Sequence, residues 1–147
     1  MTSKRTILLV EDSADDAELA LRAFGKHKLA DEVIHVADGE EALDYLFATG
    51  AYEGRQDLPR PTVILLDLKL PKLTGLDVLE RVRADPRTRH LPIVVLTSSD
   101  EERDILACYE RGANSFVRKP VDFARFLDAA KQLGLYWLVL NEQPTPA

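Results

Sequence analysis

A fold of five successive strand–helix units around a parallel sheet is what this sequence predicts, on three observations. Ile7-Leu8-Leu9-Val10, Val63-Ile64-Leu65-Leu66 and Ile93-Val94-Val95-Leu96 are continuous rather than alternating apolar runs, as in strands buried on both faces of a parallel sheet. Patterns of helical period lie between them, the signature of repeated βα units. Each run ends in a short polar island: Glu11-Asp12, Asp67, Thr97 and, after Ser115-Phe116-Val117, Lys119-Pro120. Ligands of open parallel sheets sit beyond the carboxyl ends of the strands, so these polar groups are expected on one rim.

The elements follow in order. The first helix should begin near Ser13 with Asp16 three residues on, and Ala14, Ala17, Leu21 and Phe24 form its inward stripe. Residues 33–36 make a shorter, more polar strand, read as a sheet edge. Asp38 should cap the second helix with Glu41 completing the box, and Leu43, Leu46 and Phe47 facing in. Residues 49–61 are turn-rich and longer than an ordinary connection, hence a surface loop. Thr74-Gly75 starts a third helix with Leu76, Leu79 and Val82 inward, and Pro86 follows its end. Ser99 or Asp100 should cap a fourth that Gly112 ends. Asp122 should cap a fifth, with Val121 and Phe126 as its hydrophobic staple. The expected division is a domain over 1–140 and a polar tail over 141–147.

Bulk properties exclude several classes. The 147 residues suit one domain with a sizeable core. The longest apolar stretch, Leu135 to Leu140, cannot span a bilayer, and Met1 to Arg5 run straight into a strand without a signal peptide. A single cysteine, Cys108, forbids an internal disulfide or a Cys-rich metal site. The expectation is a soluble, cytoplasmic protein with no membrane contact. Net charge is −6 and no basic run exceeds two residues, which argues against direct binding of nucleic acid. His27, His35 and His90 are scattered without ligand-like spacing, so zinc is unsupported.

The polar islands carry the chemistry. A lone Asp at position 12 would read first as a helix N-cap. Glu11 beside it, and Asp67 after another strand, bring like charges together that repel unless a cation neutralises them. A hard, oxygen-seeking ion such as Mg²⁺ suits few carboxylates plus water, and Ca²⁺ suits them less because no dense oxygen-ligand loop is present. Asp67 is the nucleophile candidate, since a carboxylate can form an acyl phosphate. Lys119 would offset phosphoryl charge and Thr97 could donate a hydrogen bond to it. Alone, Thr97 is equally a strand-end threonine and Lys119 a solvated surface lysine. In this order and spacing the set is specific.

The segments ILLVEDS (7–13), ILLDLKLPKLTG (64–75), IVVLTSS (93–99), GANSF (112–116) and VRKPV (117–121) resemble the receiver domains of two-component response regulators. The resemblance covers nearly the whole chain. It implies the CheY-like, doubly wound α/β fold with strand order 2-1-3-4-5. It also implies phosphorylation on Asp67, with Mg²⁺ held by Glu11, Asp12, Asp67 and the backbone carbonyl of Lys69. Thr97 and Lys119 would contact the phosphoryl group, and a histidine kinase or a phosphotransfer protein would be the donor. The implied switch draws Thr97 toward Asp67 and turns Phe116 inward, between two pre-existing arrangements. Read alone, Phe116 is equally an ordinary aromatic on a sheet edge. Lys69 and Ser99 flank the path of attacking water in such domains and would tune the phosphoryl lifetime. The protein would assist its own phosphorylation and autodephosphorylation without being an enzyme on a separate substrate.

Two other acyl-phosphate or nucleotide chemistries fit less well. A haloacid-dehalogenase-like phosphatase wants a second Asp two residues after the nucleophile, where this chain has Lys69. A nucleotide-binding fold would want a glycine-rich phosphate loop. A pseudo-receiver acting only as an interaction module would be free to lose Glu11, Asp12, Asp67, Thr97 and Lys119, all of which are present. With nothing of domain size after the fifth helix, the output is expected through protein contact or phosphoryl relay. Tyr136, Trp137, Leu138 and Val139 exceed what one inward helix face can bury, and exposed apolar patches commonly mark interfaces; a homodimer is the expected use, against the alternative that the segment folds onto its own core. The loop at 49–61 and the Tyr136-Trp137 tail also resemble the single-domain regulators of bacterial phytochrome kinases, implying a light-sensing kinase as partner.

Overall fold

The apolar runs become strands because both faces of each are covered. The computed structural model describes residues 5–27, 31–55, 57–98 and 102–119. Among them are five strands, β1 (Thr6–Val10), β2 (Glu32–Val36), β3 (Val63–Asp67), β4 (Ile93–Thr97) and β5 (Ser115–Arg118). They alternate with four helices, α1 (Ala14–His27), α2 (Gly39–Phe47), α3 (Gly75–Ala84) and α4 (Glu102–Glu110). The sheet is parallel throughout, in the order β2-β1-β3-β4-β5, which is the implied doubly wound order. The expected cap of the fourth helix at Ser99 or Asp100, the expected fifth helix with its cap at Asp122, and the segment Tyr136 to Val139 lie outside the described residues.

Strand alternation sorts the core into two layers. Ile7, Leu9, Val63, Leu65, Val94 and Leu96 face Ala17, Ala20 and Phe24 of α1. Leu8, Val10, Ile64, Leu66, Ile93 and Val95 face Ala42 and Leu43 of α2, Val78, Leu79 and Val82 of α3, and Cys108 of α4. β2 is the edge strand expected, only its last residue, Val36, being buried.

Two helix readings need correction and one is incomplete. The inward stripe of α1 is Ala17, Ala20 and Phe24; Ala14 is exposed and Leu21 is 38% exposed. Those three pack in one layer with Ile7, Leu9 and Leu65, and Leu21 is rotated off that stripe. On α2, Leu43 is buried and Leu46 and Phe47 pack partly buried against the core as expected, but Tyr45 is buried as well, because the loop at 49–61 folds back over that helix. Asp38 caps α2 by accepting from the Glu41 backbone N–H at 2.8 Å, but Glu41 reaches the N–H of Ala37 rather than that of Asp38. The Thr74 box with Asp77 is complete in both directions.

The expected surface loop is also pinned more firmly than a turn-rich sequence implies. It carries a short 3-10 turn at Gly50–Tyr52. Tyr52 stacks edge-on against Tyr45 with ring centroids 5.3 Å apart, and the Tyr45 hydroxyl donates to the Pro59 carbonyl at 2.7 Å. Burial raises the Tyr45 phenol to about 12.

At the amino-terminal ends of β4 and β5, the half-buried Arg83 of α3 ties two loops together. Its Nε donates to the Gly112 carbonyl at 2.9 Å, its Nη1 to the carbonyls of Arg89 (2.8 Å) and Leu91 (2.6 Å), and its Nη2 to Asn114 Oδ1 (2.8 Å). Asn114 Oδ1 also accepts from the Ile93 backbone N–H at 2.8 Å, so the hub sets the start of β4. Gly112, at φ 97°, ends α4 as expected, in a backbone conformation open to glycine.

Candidate phosphoacceptor and cation site

At the opposite rim the carboxyl ends of β1, β3, β4 and β5 bring the polar islands together. Asp67 and Thr97 are the last residues of their strands rather than the first of their loops. This fixes their backbones in the ladder, Asp67 beside Leu96 and Thr97 beside Arg118. Glu11 follows β1 directly, and its N–H donates to the Val36 carbonyl at 3.0 Å, extending the strand's anchorage to β2. Lys119 follows β5, and its N–H donates to the Thr97 carbonyl at 2.7 Å, which aims the lysine stem across the rim.

The side chains meet around one ammonium. Lys119 Nζ lies 2.6 Å from Glu11 Oε1, 3.2 Å from Asp67 Oδ2 and 3.1 Å from Asp16 Oδ2. Glu11, Asp67 and Thr97 are buried at 3%, 6% and 0% exposure, while Asp12 is exposed. The remaining carboxylate oxygens are held by backbone donors: Glu11 Oε2 accepts from the Ser13 N–H and Asp67 Oδ1 from the Lys69 N–H, each at 3.2 Å. A charge-assisted hydrogen bond of this kind orients a carboxylate as well as stabilising it.

Electrostatics show an excess of negative charge. Burial is the main force on Glu11; it outweighs the Lys119 hydrogen bond and, helped by Asp67, raises the Glu11 carboxyl to about 7. Burial pulls the other way on Lys119, but its bonds to Glu11 and Asp16 and the charge of Asp67 prevail and hold the ammonium above the ordinary lysine value. Lys119 therefore stays charged, and the excess is relieved by a proton on Glu11 or by another cation. Glu11, Asp12 and Asp67 each offer an oxygen, all within 4.8 Å of one another. That all-oxygen set, already drawing in one ammonium, fits a hard divalent cation.

The geometry brings together Glu11, Asp12, Asp67 and Lys119, and sets Thr97 on the same rim. The Lys69 N–H faces Asp67, whereas the side chain of Lys69 is exposed. Phe116, on β5, is partly buried and packs against the core layer of Val95, Cys108 and Ala113. Ser99 lies outside the described residues.

Three contributors escaped the sequence. Asp16 was read as the third residue of a helix start, and Ser13 does cap it, accepting from the Asp16 N–H at 3.3 Å. The Asp16 carboxylate, however, goes to Lys119 instead of returning to Ser13. His35 on the edge strand donates from Nε2 to the Glu11 carbonyl at 2.8 Å. Gly75 is required because a Cβ there would stand 2.4 Å from the Asp67 carbonyl oxygen and 2.7 Å from Leu68 Cα. The Gly after Thr74 was a readable signal of close approach; the two cross-chain contacts left none in a single sequence.

Known proteins with this arrangement are numerous. A model of the response regulator receiver domain matches residues 7–131. Response regulator Rcp1 of Synechocystis is 36% identical over 134 residues, spanning 91% of this chain and 89% of its own length. The crystal structure of the Mn(2+)-bound form of Rcp1 superposes with a TM-score of 0.80 at 35% identity, over 96% of this chain and 99% of that one. The bacteriophytochrome response regulator AtBRR is 52% identical with a TM-score of 0.79, over 96% of this chain and 100% of its own. The phosphorylated cyanobacterial phytochrome response regulator RcpA gives a TM-score of 0.81 at 35% identity, over 98% of this chain and 100% of that one. Among the described residues, no helix is long and apolar enough to cross a membrane. With its sheet order, its acidic rim and this match over most of its length, the chain belongs to the receiver-domain family and is a response regulator of two-component phosphorelays.

Proposed function

We propose that Asp67 accepts a phosphoryl group from the phosphohistidine of a histidine kinase, with Mg²⁺ at Glu11, Asp12, Asp67 and the Lys69 backbone carbonyl. The observation that carries this reading is the Asp67 carboxylate itself: nearly buried, fixed at the end of β3, and beside Lys119 at 3.2 Å. An Asp67 oxygen forms a bond to phosphorus as the bond from phosphorus to the kinase imidazole nitrogen breaks, and the imidazole leaves. Lys119 keeps its proton throughout and meets the charge on the transferred group. Thr97 donates its hydroxyl hydrogen to a phosphoryl oxygen, and the Lys69 N–H holds Asp67 in its attacking orientation. A divalent cation supplies charge neutralisation of the phosphoryl oxygens when bound.

The same reading makes Thr97 and Phe116 the switch pair, with Lys69 and Ser99 tuning the lifetime of the phosphoryl group. The chain assists its own phosphorylation and autodephosphorylation and turns over no separate substrate. The likeness to AtBRR, Rcp1 and RcpA supports a phytochrome kinase, or a phosphotransfer protein, as donor. The apolar sequence Tyr136-Trp137-Leu138-Val139 supports a homodimer that signals by protein contact, and its place is the cytoplasm.

Intact-protein mass after incubation with acetyl phosphate tests it. A single phosphoryl adduct is expected that requires Mg²⁺ and is completely lost in Asp67→Asn. A lasting adduct on that variant overturns the assignment of Asp67.

A further inference from the structure

Lys119 has three carboxylate partners, and two of them, Glu11 and Asp67, belong to the set that fits a divalent cation. The third, Asp16, stands outside that set. An ammonium and a divalent cation repel each other and compete for the same oxygens, so cation binding and the present seat of Lys119 oppose each other. We infer that Asp16 is the positioning residue that holds the Lys119 ammonium at the rim when a divalent cation takes over Glu11 and Asp67. The inference rests on the cation reading above.

Three further observations support it. The Asp16 carboxylate is 44% exposed, and an ion pair so open to water contributes little to stability, so its effect lies in where it holds the lysine. It is the third residue of α1, where a carboxylate would ordinarily return to the N–H of the cap. That N–H, on Ser13, is taken by Glu11 Oε2 at 3.2 Å, which leaves Asp16 to Lys119. Finally, the Lys119 backbone is anchored to Thr97 at 2.7 Å, so only the side chain has to shift between its partners. Asp16 thus offers the lysine an alternative partner within reach of its present position, and the competition at Glu11 and Asp67 is eased. Without Asp16, Lys119 keeps its grip on both carboxylates and the cation binds less well.

The test is a double-mutant cycle on Mn²⁺ affinity, with free Mn²⁺ itself read by electron paramagnetic resonance on the full chain. Asp16→Asn should raise the Kd about fivefold, within the range of coupling between residues in contact. In a Lys119→Met background the same change should leave the Kd within about twofold, because the lysine through which Asp16 acts is gone. Lys119→Gln serves as the neutral background should Lys119→Met not fold. An unchanged Kd in Asp16→Asn, or an equal rise in both backgrounds, overturns the role of Asp16. Wild-type protein that takes up no Mn²⁺ overturns the cation reading, and the inference with it.

Discussion

The two ends of the sheet each bury a cation, and they treat it in opposite ways. At the amino-terminal end, Arg83 meets four neutral acceptors: three backbone carbonyls and Asn114 Oδ1. Burial pulls its guanidinium below the usual arginine value. The planar fork of an arginine suits such fixed acceptors, and two loops end in one neutral knot. At the carboxyl end, Lys119 meets three carboxylates, and the Glu11 carboxyl is raised to about 7. The first set of partners is complete and neutral, and its consequence is rigidity. The second is overcharged, and it retains a standing affinity for further positive charge. A saturated buried charge holds a fold together; an unbalanced one leaves chemistry to be done.

Substitution at the two poles should separate these roles. Arg83→Met leaves four acceptors without their donor and should cost about 3 kcal/mol of unfolding free energy in urea titration. Phosphoryl adduct formation should survive wherever that variant is folded. Loss of the adduct from folded Arg83→Met would break the contrast. Lys119→Met should show the reverse signature. Its cost, about 2 kcal/mol in chelator, should shrink when Mg²⁺ is added, because the carboxylates then gain another source of positive charge. A cost independent of Mg²⁺ would mean that the rim is a structural knot like the other pole.

The smallest effect concerns the loop over α2. The Tyr45 phenol is raised above its unfolded value by burial, so the native state holds its proton more tightly than the unfolded chain. That contribution is complete below about pH 10 and is lost as pH rises toward about 12, on the order of 2 kcal/mol. Alkaline unfolding of wild type should steepen in this window, and Tyr45→Phe should remove that slope while losing about 1 kcal/mol at neutral pH with the bond to Pro59. An equal alkaline slope in both proteins would sever the loop from this account.

Where the pattern is local to the chain, the sequence was sufficient. The unbroken apolar runs determined β1, β3 and β4, the polar β2 its place at the edge, and the acidic and basic islands the rim on which they meet, because strand burial and strand direction depend on local pattern. Short-range caps were half legible. Thr74 and Asp77 close on each other as written, but the partners of Glu41 and Asp16 depended on which N–H groups the neighbouring loop had already used. Asp16 with Lys119, His35 with the Glu11 carbonyl, and Arg83 with the loops at 89–91 and 112–114 join residues distant in the chain or set apart by a turn. Nothing in a residue's own neighbourhood records such a partner. The sequence by itself determined which groups are gathered at the rim; only the tertiary structure decided which carboxylates share Lys119, since that depends on how α1 docks on the sheet through Ala17, Ala20 and Phe24.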